Sequence, residues 1–251
     1  MKRSISNYIG KRAFSSTCFA AEMERGSHWL DRFEKVQHAL EDMTRTWWIK
    51  GLVESRCKTR PELAGHSGLI RRKLEEEYQT YMHTHGEEYS DGDSRSRLHV
   101  SVASLILATH SCLTPFIRNE QEVVDIIREH GGGKTTPVLE FLLRMTSILH
   151  RDAYKTLQGR LRGLQSDYGA GFQTTLACDP NISTLKVHDC LYDRILTKEN
   201  RRNLLSCCCC SQDKLWLLHT TSGSMCHAEL LSSKAEGDDE CTFFVRQRPI
   251  H

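Results

Sequence analysis

The residues of this chain that could do chemistry crowd into its last quarter. They are His188-Asp189-Cys190-Leu191-Tyr192, the run Cys207-Cys208-Cys209-Cys210 with Asp213 after it, and Gly237-Asp238-Asp239-Glu240-Cys241-Thr242-Phe243. A thiol acts as a nucleophile or a metal ligand only as thiolate, so its surroundings decide its use. Cys190 is predicted to fall where a strand gives way to a helix, where unpaired N–H groups and the positive dipole end favour thiolate. His188 and Asp189 adjoin it in sequence, although a Cys–His pair needs adjacency in space. Cys210 and Asp213 are three apart and share a face of a helix predicted over 207–218, with Cys207 one turn back. Cys208 and Cys209 diverge from that face by about 100° per residue. Four successive cysteines are therefore not a ready tetrahedral zinc site, which wants Cys-x2–4-Cys pairs. Cys226-His227 and His188-x-Cys190 remain as distant ligands. Zinc or another divalent metal at the cluster stands beside a buried thiol face with no metal. The acidic run Asp238-Asp239-Glu240 reads as a solvated turn. In the strand after it, alternation puts Cys241, Phe243 and Val245 on one face, Thr242 and Phe244 on the other.

Other motifs fall away on inspection. Gly131-Gly132-Gly133-Lys134-Thr135 lacks the glycine that a phosphate loop needs five residues before the glycine of its Gly-Lys pair, where Arg128 stands, and helical residues replace the required strand. His83-x-His85 does not converge on a helix. The chain contains no Gly-x-Ser-x-Gly, no His-Glu-x-x-His and no dinucleotide fingerprint.

The elements that must position the cysteines are read from periodicity. Trp29, Phe33, Val36, Leu40, Met43 and Trp47 alternate in steps of four and three, one stripe of an amphipathic helix, with Leu30 and Trp48 widening it. Residues 54–67 read as a loop. Ile70, Leu74, Tyr78 and Tyr81 mark a second helix, 86–96 an exposed loop, and Leu98, Val102, Leu105, Ile106 and Thr109 a third helix closed by Pro115. A fourth covers 121–130 and stops at the glycine run. A fifth begins at Pro137, reaches about Leu149 and is apolar nearly all round; 151–165 continues in a more polar helical form. Beyond it, 172–178 and 184–188 read as strands about the Asp179-Pro180-Asn181 turn, 190–204 as helix, and 225–231 with 241–246 as a hairpin across Gly237-Asp238. The expected fold is α+β: a helical N-terminal half packed on a small mixed or antiparallel sheet with helices in the C-terminal half. Residues 23–165 form the helical region and 166–251 the cysteine-bearing region, in one compact domain.

Composition narrows the class. At 251 residues the chain is long enough for a substantial core, and no apolar run approaches the roughly 20 residues of a membrane helix. Neither a membrane nor nucleic acid is expected as a partner. Residues 1–22 stand apart as a transit peptide, basic, hydroxylated and free of acid up to Glu22. Loss of residues 1–14 removes four positive charges and moves the formal charge from +2 to −2, so the mild basicity belongs to the leader. Eleven cysteines, an odd number with four in succession, fit a reducing compartment better than a secreted disulfide framework. A mitochondrial location is expected, with cytoplasm or plastid as alternatives. Cys18, Cys57, Cys112 and Cys178 are scattered and read as structural.

The C-terminal cysteine pattern resembles that of the L-2-amino-thiazoline-4-carboxylic acid hydrolase family. That family has a cysteine and an aromatic residue at a strand-to-helix junction, matched by Cys190 and Tyr192. It has a Cys-x-x-Asp on the next helix, matched by Cys210 and Asp213, and a Gly-Asp-x-x-Cys-x-Phe near the end, matched by Gly237, Asp238, Cys241 and Phe243. The likeness covers residues 95–247, with the specific motifs in the last sixty or so. Leu191 stands where the family often has proline, and the run Cys207–Cys210 is unusual for it. The resemblance implies a hydrolase that opens a cyclic amidine to an N-carbamoyl amino acid, acting on a small-molecule substrate. Cys190 or Cys210 would attack, or a thiolate pair would hold a metal that activates water. Asp213 or Asp238 would orient or protonate, Cys241 would line the site, Tyr192 would contact substrate, and Arg194 or Lys214 would anchor a carboxylate. The strand motif is also similar to that of vinyl-reductase-type small-ligand domains, which implies a non-catalytic small-ligand or metal-binding module as the alternative. The leader generates one direct expectation. The mature chain begins near Ser15, after the Arg12-Ala13-Phe14 site, and N-terminal sequencing of the protein from its host checks this; an intact Met1 would remove it.

Overall fold

The structure is a computed structural model that describes residues 28–89, 93–131, 153–208 and 226–247. It has the expected α+β class, with helices preceding an antiparallel sheet. Contacts divide the chain into two units, Met1–Ala39 and Leu40–His251; the packed core belongs to the second. No helix among the described residues is long and apolar enough to cross a membrane. The predicted helix over 137–149, the glycine-run residues 132–133, the leader, and Cys18, Cys209, Cys210, Asp213 and Lys214 lie outside the described residues.

Helix α1 is His28–Gly51, followed by a π-type turn at Leu52–Cys57 and the short α2, Pro61–Ala64. The region expected as a loop over 54–67 is thus largely helical turns; Pro61 opens α2 at a first-turn position, where its missing N–H is not needed. α3 is Ser67–Tyr89 and α4 is Ser94–Leu113, packed as a helical pair. α4 is buried nearly all round. Its small residues Ser101, Ala103, Ser104 and Ala108 let neighbours approach, and the hydroxyls of Ser101 and Thr109 are hydrogen-bonded, the first with Tyr78 Oη at 2.9 Å. It ends at Leu113, two residues before Pro115. α5, Glu120–His130, is capped by Asn119, whose side chain accepts from Gln121 N–H.

The face that α1 turns inward differs from the expected one. Trp48, Ile49 and Leu52 are in the core, whereas Leu40, Met43 and Trp47 are exposed. The inward face is chosen by polar partners that an apolar count does not weigh. Trp48 Nε1 donates to Thr109 Oγ1 at 2.9 Å, Glu41 accepts from Arg97 Nε at 2.9 Å, and Tyr78 Oη reaches Glu41 at 3.3 Å. His130 at the end of α5 closes the same region, with Nε2 2.8 Å from the carbonyl of Trp48.

α6, Ala153–Tyr168, packs on the sheet and leads through a tight 3-10 turn, Gly169–Gly171, into β1, Gln173–Cys178. β2 is Ile182–Asp189, α7 Leu191–Lys198, β3 Cys226–Ser232 and β4 Cys241–Gln247, with sheet order β1-β2-β4-β3. The helix expected over 190–204 stops at Lys198, because Asn200 takes a left-handed conformation and the chain resumes as a 3-10 turn, Arg202–Cys207. Cys207 ends that turn and Cys208 is extended, so the helix expected over 207–218 does not begin at Cys207. The inner row of the sheet is Leu176, Leu185, Phe243 and Leu230, directly paired across all four strands.

The joint between helices and sheet is a polar clamp. Asp93, the N-cap of α4, accepts from Arg95 N–H at 3.1 Å and Ser96 N–H at 3.3 Å. Its Oδ2 also accepts from Ser96 Oγ at 2.6 Å and from Ala170 N–H at 2.7 Å, and Ser96 Oγ accepts from Gly171 N–H at 2.8 Å. Arg194 in α7 donates to the Gly171 carbonyl at 2.7 Å. Burial works against the charge on Asp93, but these hydrogen bonds outweigh it and hold the carboxyl below its usual range. Gly169 has φ +65°, and a Cβ there would overlap the Asp93 carboxylate. Gly169→Ala is therefore expected to cost about 2 kcal/mol or more, combining the left-handed penalty with a displaced cap. For a chain of this size that is a melting temperature lower by roughly 4–8 °C. A calorimetric scan with an unchanged midpoint would refute it.

Candidate functional site

The two segments that carry most of the described chemistry, 188–192 and 237–243, are brought together by the sheet. β2 pairs with β4 so that Val187 faces Cys241 and Lys186 faces Thr242. The pleat then sorts their residues by face. Cys241, Phe243 and Val245 point inward with Leu185 and Val187, while Lys186 and His188 point outward.

The thiols are on the inside. Cys190 is the N-cap of α7, as the strand-to-helix reading expects, and is 3% exposed. Cys241 is 6% exposed, and its Sγ lies 3.3 Å from the backbone N–H of Lys234. Cys207 Sγ is 3.5 Å from the Val124 carbonyl and Cys208 Sγ 3.8 Å from the Leu204 carbonyl, in each case with the thiol as donor. Burial pushes the thiols of Cys57 and Cys207 up to about 11 and that of Cys112 up to about 12. These three are inert packing residues. Cys178 corrects the expectation of a structural role: it ends β1, at one edge of the described sheet, and is exposed. Among the described residues no group of three or more His, Cys, Asp or Glu side chains converges to hold a metal ion.

The other proposed residues have structural partners. Asp238 Oδ2 accepts from Ser233 N–H at 2.7 Å and closes the 233–238 loop, where Gly237 takes φ +102°. Tyr192 is buried, with Oη 2.9 Å from His99 Nδ1; His99 Nε2 is 3.0 Å from the Asp167 carbonyl, and burial lowers its pKa. His99, Tyr168, Phe172 and Tyr192 form one aromatic cluster. Arg194 is 3.4 Å from Asp189 Oδ2 and lies over the Tyr89 ring, besides its bond to Gly171.

What the arrangement offers chemically sits on the outer face. Thr175, Lys186, Thr242 and Ser232 form one cross-strand row through all four strands. His188 is two residues along β2 from Lys186 on the same face, and Glu240 precedes β4 opposite it. Thr175 Oγ1 is 2.9 Å from His188 Nε2, and His188 Nδ1 is 2.8 Å from Glu240 Oε2. Lys186 Nζ donates to Glu240 Oε1 at 2.5 Å, and Thr242 Oγ1 to the same oxygen at 3.4 Å. The Lys186 bond, with His188 behind it, holds the Glu240 carboxyl below its usual range. A carboxylate that accepts from Nδ1–H leaves Nε2 as the acceptor, aimed at a hydroxyl. This is the hydroxyl–imidazole–carboxylate order of a base-activated nucleophile.

Sequence reasoning passed over Thr175 and Lys186, weighed His188 only beside Cys190 or as a distant metal ligand, and read Glu240 as part of a solvated turn. The signal was present in the period-two pattern of β2, which puts Thr184, Lys186 and His188 on one face, but nothing in the sequence said that Glu240 would lie across from them. Comparison with protein-family models, curated proteins and solved structures finds no match for this chain.

The division of the sheet predicts thiol reactivity. Brief treatment of the native protein with iodoacetamide, followed by peptide mapping, is expected to label Cys178 and spare Cys57, Cys112, Cys190, Cys207 and Cys241. Rapid labelling of Cys190 or Cys241 would place a thiol at the surface instead.

Proposed function

We propose that this chain is a hydrolase that opens a small cyclic amidine carrying a carboxylate, of the 2-aminothiazoline-4-carboxylate kind, to an N-carbamoyl amino acid. The observation that carries the reading is the Thr175–His188–Glu240 relay with Lys186 beside it. The cysteine pattern shared with the hydrolase family supplies the substrate class, and the relay supplies a means of activating water next to those motifs.

In this reading His188 Nε2 accepts a proton from water as the oxygen adds to the amidine carbon. Glu240 holds the imidazole in the required tautomer and balances the imidazolium that forms. As the oxygen adds, the C=N bond opens onto the amidine nitrogen; that nitrogen takes the proton of the added hydroxyl as the tetrahedral carbon collapses to a carbonyl, the bond to ring sulfur breaks, and the proton on His188 passes to the departing sulfur. One water is consumed and one free thiol appears. Thr175 marks where the attacking oxygen sits, within hydrogen-bond reach of the base. Lys186, half-exposed and using one of its three donors on Glu240, has donors left for the substrate carboxylate. Arg194 is committed to Gly171 and Asp189, which makes it the weaker anchor. Cys190 and Cys241 build the inner wall on which β2 and β4 are held. The same reading takes the acid-free basic leader as a mitochondrial address.

The test is release of a free thiol from 2-aminothiazoline-4-carboxylate by the purified full-length chain, read with a chromogenic reagent. His188→Gln is expected to lower the turnover number about 100-fold or more. Glu240→Gln should produce a smaller loss, with an unchanged melt in both. Binding of the substrate without product by the wild-type protein would favour a ligand-binding module. Full activity in His188→Gln would remove the relay from the mechanism.

A further inference from the structure

We propose that Thr175 is itself a nucleophile, and that the chain hydrolyses small apolar acyl esters through an acyl group carried on its Oγ1. The proposal rests on the relay of the hydrolase reading and departs from that reading in the nucleophile and the substrate. Strand register sets the parts: Thr175 stands in β1, Lys186 and His188 in β2, Thr242 in β4 and Ser232 in β3.

Three hydroxyls lie on this outer row, and their partners tell them apart. Ser232 Oγ donates to Thr242 Oγ1 at 2.9 Å, and Thr242 Oγ1 donates its own proton to Glu240 Oε1 at 3.4 Å. Both of these protons are directed at oxygens. Thr175 is the one of the three that faces a nitrogen base, with Oγ1 2.9 Å from His188 Nε2. Glu240 cannot turn away from the imidazole, because Lys186 and Thr242 hold Oε1 and leave Oε2 to His188 Nδ1 at 2.8 Å. A carboxylate fixed in this way fixes the tautomer, so Nε2 keeps its lone pair toward Thr175. Thr175 is exposed, in a strand at one edge of the described sheet, so an ester can reach the hydroxyl.

The neighbouring positions suit an ester. Lys186 pairs directly with Thr175 across β1 and β2, which puts their Cβ atoms about 5 Å apart. Its ammonium has donors beyond the one used on Glu240, for an oxyanion that forms on a carbon bonded to Oγ1. The next row of the same face is Ala177, Thr184, Phe244 and Glu229, with Ile182 beyond it on β2. Ile182 is 40% exposed and Phe244 half-buried, an apolar surface for the acyl chain.

The reaction has two halves. Oγ1 bonds to the ester carbonyl carbon as its proton passes to His188 Nε2. The tetrahedral oxyanion collapses, the bond to the alcohol oxygen breaks, and that oxygen leaves with the proton from His188. Water then gives a proton to the same nitrogen and adds to the acyl carbon. The bond to Oγ1 breaks, and Oγ1 recovers the proton. One ester and one water become one acid and one alcohol, and Glu240 balances the imidazolium in both halves.

Rapid mixing of the full-length chain with p-nitrophenyl butyrate, followed by an acid quench and peptide mapping, tests it. The activated leaving group makes deacylation the slower half, so the acyl-enzyme accumulates. The expected result is a stoichiometric burst of p-nitrophenolate with the butyryl group on Thr175. Thr175→Ser should keep burst and label, Thr175→Val should lose both, and His188→Gln should slow the burst about 100-fold or more. The position of the label in the wild-type chain decides without recourse to any variant. Absence of burst and label, or a label on Lys186 or another residue in place of Thr175, would overturn the proposal. So would a full-speed burst in His188→Gln with the wild-type melt. Thiol release from 2-aminothiazoline-4-carboxylate by a chain whose Thr175 stays unlabelled would overturn it and leave the amidine reading standing. A labelled Thr175 with no thiol release would uphold it and remove that substrate.

Discussion

The carboxylate of Asp93 is the interaction on which the rest of this structure depends. It begins α4 by capping the first turn and, through Oδ2, holds the backbone of the Gly169–Gly171 turn that delivers the chain from α6 into the sheet. Ser96 repeats the link one turn on, and Arg194 seizes the same turn from α7. Helix α4, the sheet entry and α7 are therefore indexed to one another by hydrogen bonds with fixed geometry. Apolar packing alone would tolerate small slips between them. The absence of a Cβ at Gly169 lets the carboxylate come this close. Since α7 begins at Cys190 and β2 ends at Asp189, the position of the candidate chemistry follows from that joint.

From there the pleat of the sheet makes the second decision. Two neighbouring strands carry thiols and acid–base groups within a few residues of each other, and alternation sends them to opposite faces. The thiols of Cys190 and Cys241 enter the buried side. His188, Lys186 and Glu240 remain at water, where the Glu240 carboxylate stays ionised beside its lysine. A cysteine-rich segment thus serves as a scaffold for a histidine–carboxylate pair.

Helix α1 shows the same economy of faces. Its inner side is fastened by Trp48, Ile49 and Leu52 together with the Glu41–Arg97 pair. Leu40, Met43 and Trp47 fall outside that face, and the Trp47 ring stacks on His130 with centroids 5.5 Å apart.

Much of this was legible in sequence. The order of helices and strands from 70 to 131 and from 173 to 198, and the 226–247 hairpin, follow from spacing, because local period is set by the backbone geometry of each element. The closure of α4 before Pro115, the start of α7 at Cys190 and the inward set Cys241, Phe243 and Val245 follow in the same way. What sequence did not determine is which of two competing faces would win and which distant groups would meet. On α1 Leu40, Met43 and Trp47 lost the core to a face containing Glu41 and Trp48, because Arg97 and Thr109 stand at fixed places on α4 to receive them. Glu240 looked like part of a solvated turn, and only the register of β2 against β4 sets it beside His188. The clamp of Asp93 on Ala170 joins residues 77 apart in the chain. Contacts of that kind depend on angles and distances that accumulate through intervening helices. Tertiary structure alone settles them.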